Sequence, residues 1–241
     1  MEFVIKDTYD DASRAATDII AKQIEEKNDC VLGLATGSTP IGAYAELVAK
    51  VKRGEISFSD VTTFNLDEYA GLSGDHDQSY RYFMNKHLFD LVDVNKEKTH
   101  VPSGTSDDPE KMCEEYEASI DAAGGIDLQL LGLGHNGHIG FNEPTDEFPE
   151  ITHHVQLTKS TIEANSRLFD SIDEVPTSAF TMGIGTIMKA KKVLLMATGK
   201  DKAEIVAKAF KGEVKPQVPA SILQSHPDVT IVLDKEAAEM L

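Results

Sequence analysis

The densest chemistry in the sequence lies between Gly132 and Pro144, in GLGHNGHIGFNEP, where His135, Asn136, His138, Asn142 and Glu143 crowd into a glycine-rich stretch. A histidine that titrates near neutrality, beside a carboxylate able to orient it, is the pairing that general acid–base catalysis asks for. His138 with Asn136 and Glu143 is therefore the first candidate catalytic group. A polar surface loop with an idle histidine is the plain alternative, but glycine enrichment beside a His–carboxylate pair favours chemistry. Gly132, Gly134 and Gly137 also satisfy GxGxxG. That fingerprint must open a helix so that pyrophosphate sits on its N-terminus, and Pro144 and Pro149 follow too closely, so no dinucleotide fold is read here. Zinc ligation through His135 and His138 lacks an HExxH pattern and a third ligand at the expected spacing, so no metal site is assigned.

Three further places supply complementary groups. Asp67, in Asn65-Leu66-Asp67-Glu68-Tyr69, falls at the carboxyl end of an apolar run, where a carboxylate is unfavourable unless used or paired. It is a candidate general base, with a helix cap as the plainer reading. Thr36-Gly37-Ser38-Thr39-Pro40 joins an apolar run to a helical segment, and can present backbone N–H groups, hydroxyls and the positive end of a helix dipole to a phosphate. No Gly-Lys precedes the Ser-Thr, so it is not a nucleoside triphosphate loop. A helix start capped by Ser38 or Thr39 is the other reading, and the loop alone leaves both open. Arg167 and Lys202 are cations that could complete an anion site. Lys202 opens a helical segment, where its charge opposes the dipole unless an anion sits nearby.

These residues need a scaffold that brings strand ends together. Apolar β-rich runs at Cys30–Ala35, Val61–Leu66, Ile126–Leu133, Ala179–Met182, Lys192–Thr198 and Val229–Leu233 alternate with helical segments at Asp11–Lys27, Pro40–Val51, Ser79–Leu91, Pro109–Ala123 and Lys202–Lys211. The alternation predicts an α/β chain: an open, mostly parallel twisted sheet with helices on both faces, Rossmann-like in layout. In such sheets ligands bind beyond the carboxyl ends of the strands, which is where the candidate loops fall. No internal repeat or linker divides the 241 residues, so a single domain is expected.

The formal charge of −18, from 23 Lys and Arg against 41 Asp and Glu, argues against a nucleic-acid or anionic-membrane partner. Cys30 and Cys113 stand far apart with no CxxC, and read as reduced packing residues of an intracellular protein. The first residues, MEFVIKDTYD, lack the basic and apolar regions of a secretion signal, and no apolar run is long enough to span a bilayer. A cytoplasmic location is expected.

Taken together, the motifs ATGSTP, NLDEYAGL, GLGHNGHIGFNEP, ANSR and TGKDKA, in that order between about Ala35 and Ala203, resemble the glucosamine/galactosamine-6-phosphate isomerase family. GHNGHIGFNEP is the most specific of them. The resemblance implies amino-sugar catabolism: D-glucosamine 6-phosphate and water become D-fructose 6-phosphate and ammonia, with no metal or organic cofactor. It implies that His138 assists ring opening, held by Asn136 and Glu143, and that Asp67 carries the proton from C2 to C1. It also implies that Thr36, Gly37, Ser38, Thr39, Arg167 and Lys202 hold the phosphate, with residues 158–177 as a mobile lid that brings Arg167 over it. Many members read Asp-Gly-His where this chain reads Asn136-Gly137-His138, so position 136 can hydrogen bond but carries no charge. Larger members are activated at a separate site by N-acetylglucosamine 6-phosphate through basic residues after the NEP motif. Pro144–Thr158 contains no Lys or Arg. A non-allosteric enzyme is expected, with a monomer as the favoured state and a homo-oligomer left open.

Two other functions fit parts of the pattern. 6-Phosphogluconolactonases share a Gly-x-Gly-x-x-Gly-His loop, but continue with a Ser-Leu-Phe-Pro type stretch and carry Asp-Glu-Arg where this chain has NLDEY. A non-catalytic sugar-phosphate sensor would keep the pocket and lose turnover. Asp67, His138 and Glu143 are all present, and no helix-turn-helix with a basic recognition face accompanies them.

Overall fold

A computed structural model of the chain describes residues 1–166, 169, 171 and 174–241. The chain opens with β1 (Glu2–Lys6) and α1 (Tyr9–Glu26). α1 starts where the Thr8 hydroxyl accepts the Asp11 N–H and two acids occupy the first turn, both favourable at the positive end of a helix. It buries Ala12, Ala16, Ile20 and Ile24, four residues apart on one face. β2 (Val31–Leu34) is buried throughout, as a strand covered on both faces must be, and leads into α2 (Ile41–Lys52) and then β3 (Thr62–Asn65). β4 (Asp67–Tyr69) follows after one residue.

α3 (Tyr80–Met84) then begins the helical stretch read at Ser79–Leu91, which continues as a π turn through Asn85–Phe89. β5 (Thr99–His100) and α4 (Pro109–Ala122) lead to β6 (Leu128–Leu131). The remainder runs β7 (His153–Gln156), α5 (Lys159–Asn165), β8 (Ser178–Thr181), α6 (Ile184–Met188), β9 (Lys192–Ala197), α7 (Ala203–Lys211) and β10 (Val229–Asp234).

Among the described residues, seven strands form one parallel sheet in the order β1-β10-β9-β6-β2-β3-β5. From β2 the chain moves outward to β3 and β5. It then returns across β2 to β6 and moves the other way to β9 and β10. Because parallel crossovers are right-handed, opposite directions of travel put α1 and α2 on one face and α4, α6 and α7 on the other. β2 and β6 flank the point of reversal, and a crevice opens beyond their carboxyl ends.

One strand departs from the reading of the sequence. The Ala179–Met182 run, as β8, stays out of the parallel sheet and pairs antiparallel with β4 and β7 in a separate three-stranded sheet. Leu66 is the seam: its N–H donates to Leu34 O at 3.0 Å in the large sheet, and its carbonyl accepts from Met182 N at 2.7 Å beside the small one. The small sheet has its own apolar cluster of Tyr69, Phe141, Leu157 and Ala179. Neither β4 nor β7 is an apolar run, since one carries Asp67-Glu68 and the other His153-His154. Among the described residues no helix is long and apolar enough to cross a membrane.

Candidate active site

A cleft of about 740 Å³ lies at the reversal point, between the loops that leave β2 and β6. Of the residues singled out in the sequence, Thr36, Gly37, Ser38, Thr39, Asp67, Asn136, His138 and Lys202 line it. Glu143 stands behind the histidine, and Arg167 lies outside the described residues. Tyr80 and Phe141, which the sequence reading passed over, add apolar wall, as does Leu66. Phe141 lies inside the Gly132–Pro144 motif, whereas Tyr80 stands outside every motif singled out.

Asp67 enters the cleft at the seam between the two sheets. It opens β4 and caps no helix. The carboxyl is 6% exposed and accepts no hydrogen bond among the described residues. Burial, with the neighbouring Glu68 charge adding to it, pushes Asp67 up to about 8. Glu68 is buried too, yet its carboxylate accepts backbone N–H groups of Tyr69, Tyr80 and Arg81 at 2.8–2.9 Å. It thereby ties β4 to the start of α3, and so places Tyr80 in the cleft wall.

His138 is held by a short chain of polar contacts. Its Nδ1 lies 2.8 Å from Asn136 Oδ1, which also accepts the His138 backbone N–H at 3.2 Å. The Asn136 amide N–H₂ donates to Glu143 Oε2, and that oxygen is 3.6 Å from His138 Nδ1. With the amide turned this way, Nδ1 carries the hydrogen and Nε2 is left as the free, proton-accepting nitrogen. Burial would raise Glu143, but its contacts with His138, Thr161 and Asn136 outweigh it and hold the carboxyl down at about 2. The imidazole lies flat against Gly134, where an added Cβ would fall 2.3 Å from its ring. That close approach accounts for the second glycine of the GxG pair. Asn142 does not reach the cleft: its amide donates to the carbonyls of Ile139 and Met182, pinning the loop to the small sheet.

The Thr36–Thr39 loop and Lys202 line the same cleft. Gly37 has a φ of 93°, a turn that glycine adopts without strain. Tyr9 fixes the loop by donating to the Thr39 carbonyl at 3.1 Å and accepting Gly42 N–H at 2.9 Å. The capping alternative does not hold: Pro40 enters α2 with no side-chain cap, and the Ser38 and Thr39 hydroxyls bond nothing among the described residues. Lys202 ends the short turn before α7 and lines the cleft. Burial lowers its pKa, partly offset by Asp201, and it makes no ion pair among the described residues. The neighbouring Lys200 instead reaches Glu239 at 3.7 Å. His135 sits at the rim, 3.4 Å from Asp201, with its ring largely exposed. Among the described residues no three His, Cys, Asp or Glu side chains are grouped to hold a metal ion.

The arrangement puts around one space an imidazole and a carboxyl, the imidazole Nε2 and the carboxyl both lacking partners among the described residues, with a lysine and a loop of hydroxyls and backbone N–H groups. A family model described as glucosamine-6-phosphate isomerases/6-phosphogluconolactonase matches residues 6–232. Over all 241 residues the chain is 54% identical to the glucosamine-6-phosphate deaminase of Thermoanaerobacter pseudethanolicus, covering 95% of that protein. The solved structure of a monomeric glucosamine-6-phosphate deaminase is 47% identical, with a TM-score of 0.97 over 100% of both chains. A 6-phosphogluconolactonase from Trypanosoma brucei has a TM-score of 0.77 at 21% identity, over 100% of this chain and 98% of that one, and shares the fold alone.

Proposed function

The chain belongs to the glucosamine-6-phosphate isomerase/6-phosphogluconolactonase family, and within it we infer the deaminase reaction: D-glucosamine 6-phosphate and water give D-fructose 6-phosphate and ammonia. Full-length likeness to deaminases supports this choice, whereas the lactonases share only the fold. The observation that carries the assignment of roles is the pairing of an unpartnered Asp67 with an oriented His138 across one cleft.

The phosphate sits against the Thr36–Thr39 loop, where backbone N–H groups, free hydroxyls and Lys202 meet. Arg167, which lies outside the described residues, is assigned bidentate donation to the same phosphate. His138 Nε2 then takes the proton of the C1 hydroxyl and returns it to the ring oxygen, opening the pyranose. Asn136 and Glu143 keep the ring turned, and Glu143 stabilises the imidazolium formed in between. Asn136 is neutral where many relatives carry Asp, so Glu143 is the charge that performs this service.

Asp67 next removes the C2 proton from the open-chain sugar, leaving an enolamine, and delivers it to C1. Water adds at C2 of the resulting imine and ammonia leaves. Burial that raises Asp67 makes it a stronger base at the cost of being protonated in the empty cleft at neutral pH. A protonated 2-amino group arriving beside it supplies the missing positive charge and draws it into the ionised form.

A monomeric, non-allosteric enzyme of the cytoplasm fits the likeness to a monomeric deaminase and two buried, unpaired cysteines. The deciding assay follows ammonia and fructose 6-phosphate release from glucosamine 6-phosphate, run beside 6-phosphogluconolactone hydrolysis. Turnover of the amino sugar alone is expected. Lactone hydrolysis instead, or binding without turnover, would overturn the assignment. A sigmoidal substrate curve that N-acetylglucosamine 6-phosphate makes hyperbolic would overturn the non-allosteric reading.

A further inference from the structure

The two oxygens of Glu143 have separate duties. Oε2 takes the Asn136 amide and faces His138 Nδ1, as described above. Oε1 accepts the Thr161 hydroxyl at 2.5 Å and, more distantly, the Thr158 hydroxyl at 3.4 Å. Thr158 is also the cap of α5, accepting the Thr161 backbone N–H at 3.3 Å. Thr161 itself lines the cleft. The first turn of α5 and the carboxylate behind the histidine are therefore one hydrogen-bonded unit, although Thr161 and Glu143 are 18 residues apart in sequence.

A buried carboxylate gripped at one oxygen only can rotate, and rotation here would take Oε2 away from both Asn136 and His138. We propose that Thr161 is a positioning residue for the acid–base histidine: its hydroxyl holds Oε1 of Glu143 so that Oε2 stays on Asn136 and His138. The inference rests on the roles given above to His138 and Glu143. The cap uses the Thr161 backbone N–H and the Thr158 oxygen; the Thr161 hydroxyl lies 3.0 Å from that oxygen too, and gives its single hydrogen to Glu143 at the shorter 2.5 Å. Among the described residues the groups facing Glu143 are Asn136 and His138 from the loop after β6, Thr158 at the cap of α5 and Thr161 in its first turn. Lys159 turns instead to Glu163 at 3.9 Å and stays in solvent.

Thr161→Val keeps the shape and the backbone cap while deleting the hydroxyl, and Thr161→Ser restores it. In steady-state kinetics with glucosamine 6-phosphate, Thr161→Val should lower kcat about tenfold, the scale of a lost hydrogen bond to a charged group, with KM changed by less than about twofold. Thr161→Ser should recover most of that loss. Carboxyl ¹³C titration should find Glu143 moved upward in Thr161→Val and back down in Thr161→Ser. Wild-type kcat in Thr161→Val, an effect on KM alone, or equal impairment in Thr161→Ser would overturn the proposal. Glu143→Gln separates the levels. If it is impaired while Thr161→Val is not, the role of Thr161 fails and that of Glu143 stands. If Glu143→Gln turns over at the wild-type rate, both fail.

Discussion

Asp67 and Glu143 are acids of nearly equal burial, 6% and 7% exposed, that serve one cleft and are driven in opposite directions. Asp67 meets apolar walls and another carboxylate, and rises to about 8. Glu143 meets an imidazole, an amide and two threonine hydroxyls, and falls to about 2. Asp67 is surrounded by more protein and is desolvated the more strongly, and the partners of Glu143 reverse the direction that burial alone would give. An acid without partners is reactive towards a proton, and an acid surrounded by donors is a fixed negative charge. The cleft thus contains one group suited to moving a proton and one suited to steadying the group that moves another.

The sharpest way to break this contrast is to remove the partnerless acid. Asp67→Asn should reduce kcat by about 10²–10⁴-fold, the usual worth of a positioned general base, in an assay of ammonia release. The same substitution tests the burial argument through stability. A carboxyl raised from 3.8 to about 8 in the folded state favours the native protein at low pH, and that contribution is lost as pH climbs through this window. Wild-type stability should therefore fall relative to Asp67→Asn by up to about 1.4 kcal/mol per pH unit between those values, measured by denaturant unfolding at a series of pH values. Glu143 has the reverse sign. Its contribution is complete above 4.5 and is lost as pH falls towards 2, so Glu143→Gln should be least stable relative to wild type near neutrality.

On the Glu143 side, Gly134→Ala sharpens the role of imidazole placement. A Cβ 2.3 Å from the ring must displace it, and kcat should drop about 10²-fold with the fold intact by circular dichroism. A smaller effect is expected at the anion end. With Lys202 in the phosphate-holding role proposed for it, Lys202→Ala should raise KM about tenfold with less change in kcat, because such a contact is made in ground and transition states alike. The net charge of −18 repels a sugar phosphate at long range, so capture is local. Added salt should leave encounter unharmed while weakening the final contacts, and less so in Lys202→Ala.

The sequence made one of these regions far more legible than the other. Glycines, histidines and an acid within Gly132–Pro144 declare the histidine side, because a chain that must turn back on an imidazole needs residues without side chains. Likewise, the buried runs of β2, β6, β9 and β10 declare the parallel sheet, and their reversal point places the cleft. Asp67 was visible as an acid at a strand end, but not as one without partners, since that depends on the seam at Leu66 and on a second sheet. The strands of that sheet, β4 and β7, carry charged or imidazole side chains and are three and four residues long, too short for alternation to register. The Thr161–Glu143 contact links residues 18 apart through a helix start whose sequence signals only a cap. Tyr9 is farther still from the Thr36–Thr39 loop it steadies, 30 positions from Thr39.

The contrast between the two acids is open to a direct measurement: carboxyl ¹³C titration of the ligand-free enzyme, with Asp67→Asn and Glu143→Gln identifying the two resonances. The account predicts that Asp67 takes up its proton at about 8 and that Glu143 stays ionised down to about 2. Two carboxyls titrating together near 4 would contradict it, because the cleft would then hold two ordinary acids and no division of labour between them.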